Sequence, residues 1–125
     1  MILDGESLKV KDVLKVALYG EKVELSPKSI DKVKRARDYV EEMVRKEKKV
    51  YGVTTGFGKF CNITISPEDT RRLQLNLIRS HSVGVGEYLS PESVRAMMLL
   101  RINALAKGYS GIRLSTLQTL IDMLN

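Results

Sequence analysis

The sequence predicts a mainly α-helical chain, and three observations carry that reading. All three prolines follow a serine, at Ser26-Pro27, Ser66-Pro67 and Ser90-Pro91. Apolar residues recur at helical spacing in the segments that follow. Glycines stand where such segments should stop, as at Gly20 and Gly108. With 125 residues, 43% of them apolar and 29% charged, the composition is that of one globular segment with no internal boundary.

The elements follow in order. Asp4-Gly5 and the stretch Val23 to Leu25 admit a small N-terminal β ribbon. Val10, Val13, Leu14, Ala17 and Leu18 predict a short helix over about residues 9–18, stopped by Gly20. Serine at the N-cap accepts an orphan helix N–H, and proline at the next position has none to lose, so helices should begin near 27, 67 and 91. Asp69, three residues after Ser66, adds an acid in a first turn, as in a capping box. The helix from Pro91 should end at Lys107-Gly108, a basic last turn before a C-cap glycine. Leu114, Leu117, Leu120, Ile121 and Leu124 predict a last helix over 114–124.

Ten of the thirteen residues from Val94 to Ala106 are apolar, leaving that helix without a wide polar face. Such a helix calls for cover on all sides. The expectation is therefore association with other copies, or with further polypeptide of the same chain beyond Asn125.

Lys and Arg exceed Asp and Glu by 21 to 15, which raises the question of nucleic acid. Residues 28–49 hold nine of those bases but also five acids, interleaved as at Asp31 with Arg35 and Arg37 with Glu41. That pattern reads as a solvated helix face, so nucleic-acid binding ranks last among the function classes considered. No run of about 18 apolar residues marks a membrane span. The opening Met1-Ile2-Leu3-Asp4-Gly5-Glu6 has acids where a signal peptide carries bases, and a cytoplasmic protein is expected. The lone cysteine, Cys61, leaves no intramolecular disulfide or Cys-only metal site, and reads as a small buried apolar residue.

The chemistry concentrates between residues 51 and 88, where Gly52, Gly56, Gly58, Gly84 and Gly86 lie. Glycine lets backbone turn sharply beside a ligand. Neither glycine cluster has nucleotide-binding spacing. Gly52 to Gly58 is one residue too long for a phosphate loop, Phe60 replaces its Ser/Thr, and Gly84-Val85-Gly86 lacks the preceding strand and third glycine of a dinucleotide fingerprint. Tyr51 has two readings: a ring that anchors the turn, or a general base if its pKa of about 10 is lowered by cations or helix N-termini. His81, the only histidine, falls at a helix end on the face of Gln74 and Leu77. It reads either as a cap on helix carbonyls or as a ligand contact.

Three ordered blocks then resemble one family. Tyr51-Gly52-Val53-Thr54-Thr55-Gly56-Phe57-Gly58 resembles the signature loop of the aromatic amino acid ammonia-lyases. The run from Leu77 through Ser80-His81 to Gly86, and the run from Arg101 to Ile112, continue the resemblance at the expected distances. Many members carry Asn where this chain has Thr54. Phenylalanine-acting members typically have an apolar pair at Ser80-His81, so the pair places this chain nearer the histidine-acting branch. The resemblance implies the helical N-terminal part of the lyase fold, homotetrameric assembly, and conversion of L-histidine to trans-urocanate and ammonia. It implies Tyr51 as the base at the β-hydrogen and His81 as the contact to the substrate ring. Gly52, Thr55, Gly56, Phe57 and Gly58 would form the active-site loop, with no metal. The family electrophile, a methylidene-imidazolone (MIO) ring, forms from Ala-Ser-Gly; this tripeptide is absent here and is expected beyond Asn125. Tyr109-Ser110-Gly111 belongs to a different block. The chain alone is therefore expected to be inactive, and the alternative reading is a non-catalytic helical oligomerisation or regulatory fragment of a lyase.

Overall fold

A computed structural model of the chain describes residues 1–51, 53–55 and 67–125. The chain folds as two compact units, one formed by Met1–Tyr39 with Tyr88–Asn125 and one by Val40–Glu87.

The first unit begins with strand β1, Ile2–Leu3. Helix α1 spans Val10–Tyr19, and strand β2, Glu24–Leu25, lies parallel to β1 with Leu3 opposite Leu25. The expected ribbon is thus present, with Ile2 and Leu3 as its first strand and Asp4-Gly5 as the turn beyond it. Asp4 makes that turn by accepting the amides of Glu6 and Ser7, each at 2.8 Å. These two donors favour its charged form and hold its carboxyl down to about 2. Helix α1 stops where Gly20 takes φ 69°, as the sequence predicts.

Helix α2, Pro27–Arg45, starts at the first serine-proline pair. Ser26 Oγ accepts the Ser29 amide at 3.1 Å. Helix α3, Pro67–His81, starts at the second pair, whose Ser66 lies outside the described residues. Helix α4, Pro91–Ala106, starts at the third, where Ser90 Oγ accepts the Ser93 amide at 3.3 Å. Helix α5 spans Leu114–Leu124.

In the first unit α4 packs against both α1 and α5. Leu99, Ile102, Leu105 and Ala106 of α4 meet Val16 of α1, Val33 of α2, and Leu117, Ile121 and Leu124 of α5 in one buried cluster, with Leu3, Val23 and Leu25 from the ribbon side. The opposite face of α4 stays uncovered: Met97 is 59% and Leu100 53% exposed. A helix that is apolar all round is therefore covered on one side only. Val10, Leu14 and Leu18 form a second exposed apolar row on α1. Among the described residues no helix is long and apolar enough to cross a membrane.

The end of α4 sits directly on α2. Gly108 has φ 76°, and a Cβ built there would lie 2.7 Å from the Lys32 carbonyl carbon. Backbone against backbone cannot yield as a flexible side chain does. Gly108→Ala should therefore destabilise the chain by about 1–3 kcal/mol. Gly84→Ala, with nothing within 4 Å of the new Cβ, should be neutral or stabilising, since it only restricts the unfolded chain. Denaturant titration of the two variants checks this, and equal midpoints would contradict the close approach.

Candidate active-site turn and helix end

The second unit carries both residues singled out for chemistry, Tyr51 and His81. After α2 the chain reverses at Glu47, a non-glycine residue at φ 51°. It then enters a turn in which the amides of Val53 and Thr54 both donate to the Val50 carbonyl at 3.0 Å. The Thr54 hydroxyl closes the turn from the side. It accepts the Val50 amide at 2.9 Å and donates to the Lys48 carbonyl at 2.6 Å. Tyr51 rides on this turn with 63% of its surface exposed. Thr55, two residues beyond Val53, is buried. Gly52, Gly56, Phe57, Gly58 and Cys61 lie outside the described residues.

In the sequence Thr54 stands out only as a departure from the more frequent Asn. The structure gives it a job: one side chain both donates and accepts across the turn below Tyr51. Asn offers the same pair of functions through its amide. The signal was available in that exchange, since Thr and Asn share little else.

His81 is the last residue of α3. Its Nδ1 lies 2.9 Å from the Leu77 carbonyl oxygen, one turn earlier. Ser80 Oγ donates to that same carbonyl at 2.9 Å, and Ser82 Oγ donates to the Ile78 carbonyl at 2.7 Å. Three consecutive polar side chains thus fold back on carbonyls of the last helical turn, one of which, Ile78, also accepts the Ser82 amide at 2.9 Å. The ring is exposed at the helix terminus. The two sequence readings of His81 are therefore compatible, because capping occupies one ring nitrogen and leaves the other. Beyond α3, Gly86 takes φ 95° in the second glycine pair, while Val83 and Val85 are exposed.

Among the described residues no group of three His, Cys, Asp or Glu side chains could hold a metal ion. The Tyr109-Ser110-Gly111 stretch lies in the first unit, between α4 and α5. Ser110 Oγ accepts the Ile112 amide at 3.2 Å, and the Gly111 carbonyl accepts from Arg37 at 3.4 Å with Gly111 at φ 68°. Tyr109 and Ser110 are exposed and Gly111 is buried, and the bulky Tyr109 stands where the family tripeptide has Ala, so the stretch does not fit the role of the electrophile.

The Thr54 link is separable from the rest. Thr54→Val keeps the shape but strands the Val50 amide and the Lys48 carbonyl, at a cost of about 1 kcal/mol. Amide exchange at Val50 should accelerate about fivefold, and Thr54→Asn should restore most of the protection. Unchanged exchange in Thr54→Val would show that the hydroxyl does not hold the turn.

Comparison with known proteins bears on the whole chain. Residues 8–125 match the family model described as aromatic amino acid lyase. The chain is 54% identical to the histidine ammonia-lyase of Streptococcus sanguinis over 98% of its own length and 24% of that protein. It thus spans about a quarter of the length of the curated relatives it matches. The crystal structure of histidine ammonia-lyase from Trypanosoma cruzi superimposes with a TM-score of 0.90 at 41% identity, covering 98% of this chain and 24% of that one. The ergothioneine-degrading enzyme of Treponema denticola, solved with desmethyl-ergothioneine sulfonic acid, gives 0.94 at 34% identity over 100% of this chain and 25% of that one. With its helices, its tyrosine turn and its Ser-His helix end all inside the matched region, the chain belongs to the aromatic amino acid lyase family.

Proposed function

We propose that this chain supplies the tyrosine- and histidine-bearing part of a histidine ammonia-lyase, which converts L-histidine to trans-urocanate and ammonia. The observation that carries the proposal is the 54% identity, over nearly the whole chain, to a histidine ammonia-lyase. The geometry is compatible with it. Tyr51 stands on a braced turn with 63% of its surface exposed, in keeping with the role of the group that takes the β-proton. His81 stands at a helix end with its imidazole exposed, where it can meet the ring of the substrate. Gly52, Thr55, Gly56, Phe57 and Gly58 belong to the same loop by resemblance.

The family uses a methylidene-imidazolone group, which supplies an electrophile when present. This chain has no Ala-Ser-Gly to form it, and the Tyr109-Ser110-Gly111 turn does not fit the role. No step within these 125 residues runs through that group. In the complete enzyme it would come from polypeptide outside them. The exposed rows on α1 and α4 support assembly, either with that polypeptide or with other copies of the chain. The single cysteine suits a reducing compartment, and a cytoplasmic lyase is part of the same proposal.

The 125-residue chain alone should give no urocanate, followed by its absorbance, because no electrophile activates the amine. Turnover by the purified chain at a rate typical of enzymes, about 1 s⁻¹ or more, would refute this. In a complete lyase carrying these residues, Tyr51→Phe should lower kcat by about 10²-fold or more with little change in substrate binding. His81→Leu should shift preference from L-histidine towards L-phenylalanine, because an apolar side chain leaves the substrate imidazole without a partner. Steady-state kinetics on both substrates checks the two roles, and an unchanged kcat or an unchanged substrate ratio would remove the corresponding one.

A further inference from the structure

The hydrogen bonds at the end of α3 determine which nitrogen of His81 carries the proton. Nδ1 lies 2.9 Å from the Leu77 carbonyl oxygen and 3.0 Å from Ser80 Oγ. A carbonyl oxygen only accepts. Ser80 has one hydroxyl proton; given to that same carbonyl, 2.9 Å away, it leaves the oxygen to accept from Nδ1. Both neighbours therefore present lone pairs to Nδ1. An unprotonated Nδ1 would set its own lone pair against them at hydrogen-bonding distance, whereas a protonated Nδ1 satisfies both. In a neutral imidazole the other nitrogen then has no proton and can only accept. Nε2 has no hydrogen-bond partner among the described residues, and the ring is exposed.

We propose that the Leu77 carbonyl and the Ser80 hydroxyl lock His81 in the Nδ1–H tautomer, so that Nε2 is a hydrogen-bond acceptor that reads a ring N–H donor on the ligand. Ser80 is then a positioning residue, acting on the ligand only through His81. The ligand class is an azole that retains an N–H. A phenyl ring offers no donor and leaves Nε2 unpaired, and a site built around a hydrogen bond rejects a partner that lacks it. The identity of the ligand rests on the lyase reading; the tautomer does not. The Ser80-His81 pair thus works as a unit, the first residue orienting what the second presents.

The chain has one histidine, so a ¹⁵N-labelled sample gives a single imidazole in a long-range ¹H–¹⁵N correlation. At a pH of about 9, where an ordinary imidazole is neutral, Nδ1 should show the shift of a protonated nitrogen and Nε2 that of an unprotonated one. Ser80→Ala should move the tautomer ratio towards Nε2–H by about threefold, the worth of one modest hydrogen bond. Ser80→Thr should restore it. A dominant Nε2–H form in the unmodified chain, or a ratio that Ser80→Ala leaves unmoved, overturns the proposal. In a complete lyase carrying these residues, an alanine bearing a thiazole, with sulfur in place of the ring N–H, should lose about tenfold or more in kcat/KM against L-histidine. Equal kcat/KM for the two substrates would overturn the acceptor role. A lyase inactive on both counts against the lyase reading alone, because the tautomer is read in the spectrum.

Discussion

Arg95 sits near the start of α4, a helix apolar on nearly every side, and its guanidinium closes the ends of two other helices at once. Nε donates to the Val16 carbonyl in the last turns of α1 at 3.0 Å, and a terminal nitrogen donates to the Leu124 carbonyl at the end of α5 at 2.7 Å. Both acceptors lie where a helix gathers partial negative charge, so one cation serves two dipoles. The buried cluster beneath depends on this arrangement, since Val16, Leu99, Ile121 and Leu124 meet only if the three helix ends converge. Asn125 adds a second tie. Its side-chain oxygen and nitrogen pair with the Val23 amide and carbonyl, each at 2.8 Å, joining the end of α5 to the segment leading into β2.

The site-bearing unit is held by different means. Its turn and helix end are fixed by single side chains that bond to nearby backbone: Thr54 to residues 48 and 50, Ser80 and His81 to Leu77, and Ser82 to Ile78. Such bonds set the direction of a side chain over a few ångströms without a large core. Such local accuracy suits a chemical group, and both Tyr51 and His81 are exposed in this arrangement.

The helices were legible because their signals are local. Ser26 and Ser90 cap α2 and α4 as their serine-proline pairs predict, and Gly20 ends α1 in the left-handed region. The start of α5 was legible only through apolar periodicity, since Arg113 stands at its N-cap without a capping side-chain bond, whereas α1 carries a local sign the periodicity did not use, Asp12, whose carboxylate accepts the Lys9 amide at 3.2 Å. The uncovered face of α4 was equally visible, because ten apolar residues in thirteen exceed what short neighbours can bury. Arg95 is one of the three polar residues between Val94 and Ala106, and nothing in the sequence marks it out from the other two. Its partners lie 79 and 29 residues away along the chain, and no local pattern encodes such pairings. The contacts of His81 are local, to Leu77 and Ser80 within one helical turn, yet they depend on side-chain rotamers that the sequence does not state.

If these residues form an interchangeable part of a histidine ammonia-lyase, Tyr51 and the Ser80-His81 pair should work in a relative's framework as they stand. Replacement of the matched segment of the Streptococcus sanguinis relative by this chain, followed by a urocanate assay, tests that role most directly. The predicted result is a folded chimaera that turns over L-histidine within about tenfold of the parent. A chimaera that folds and assembles like the parent yet has no activity on L-histidine would contradict it.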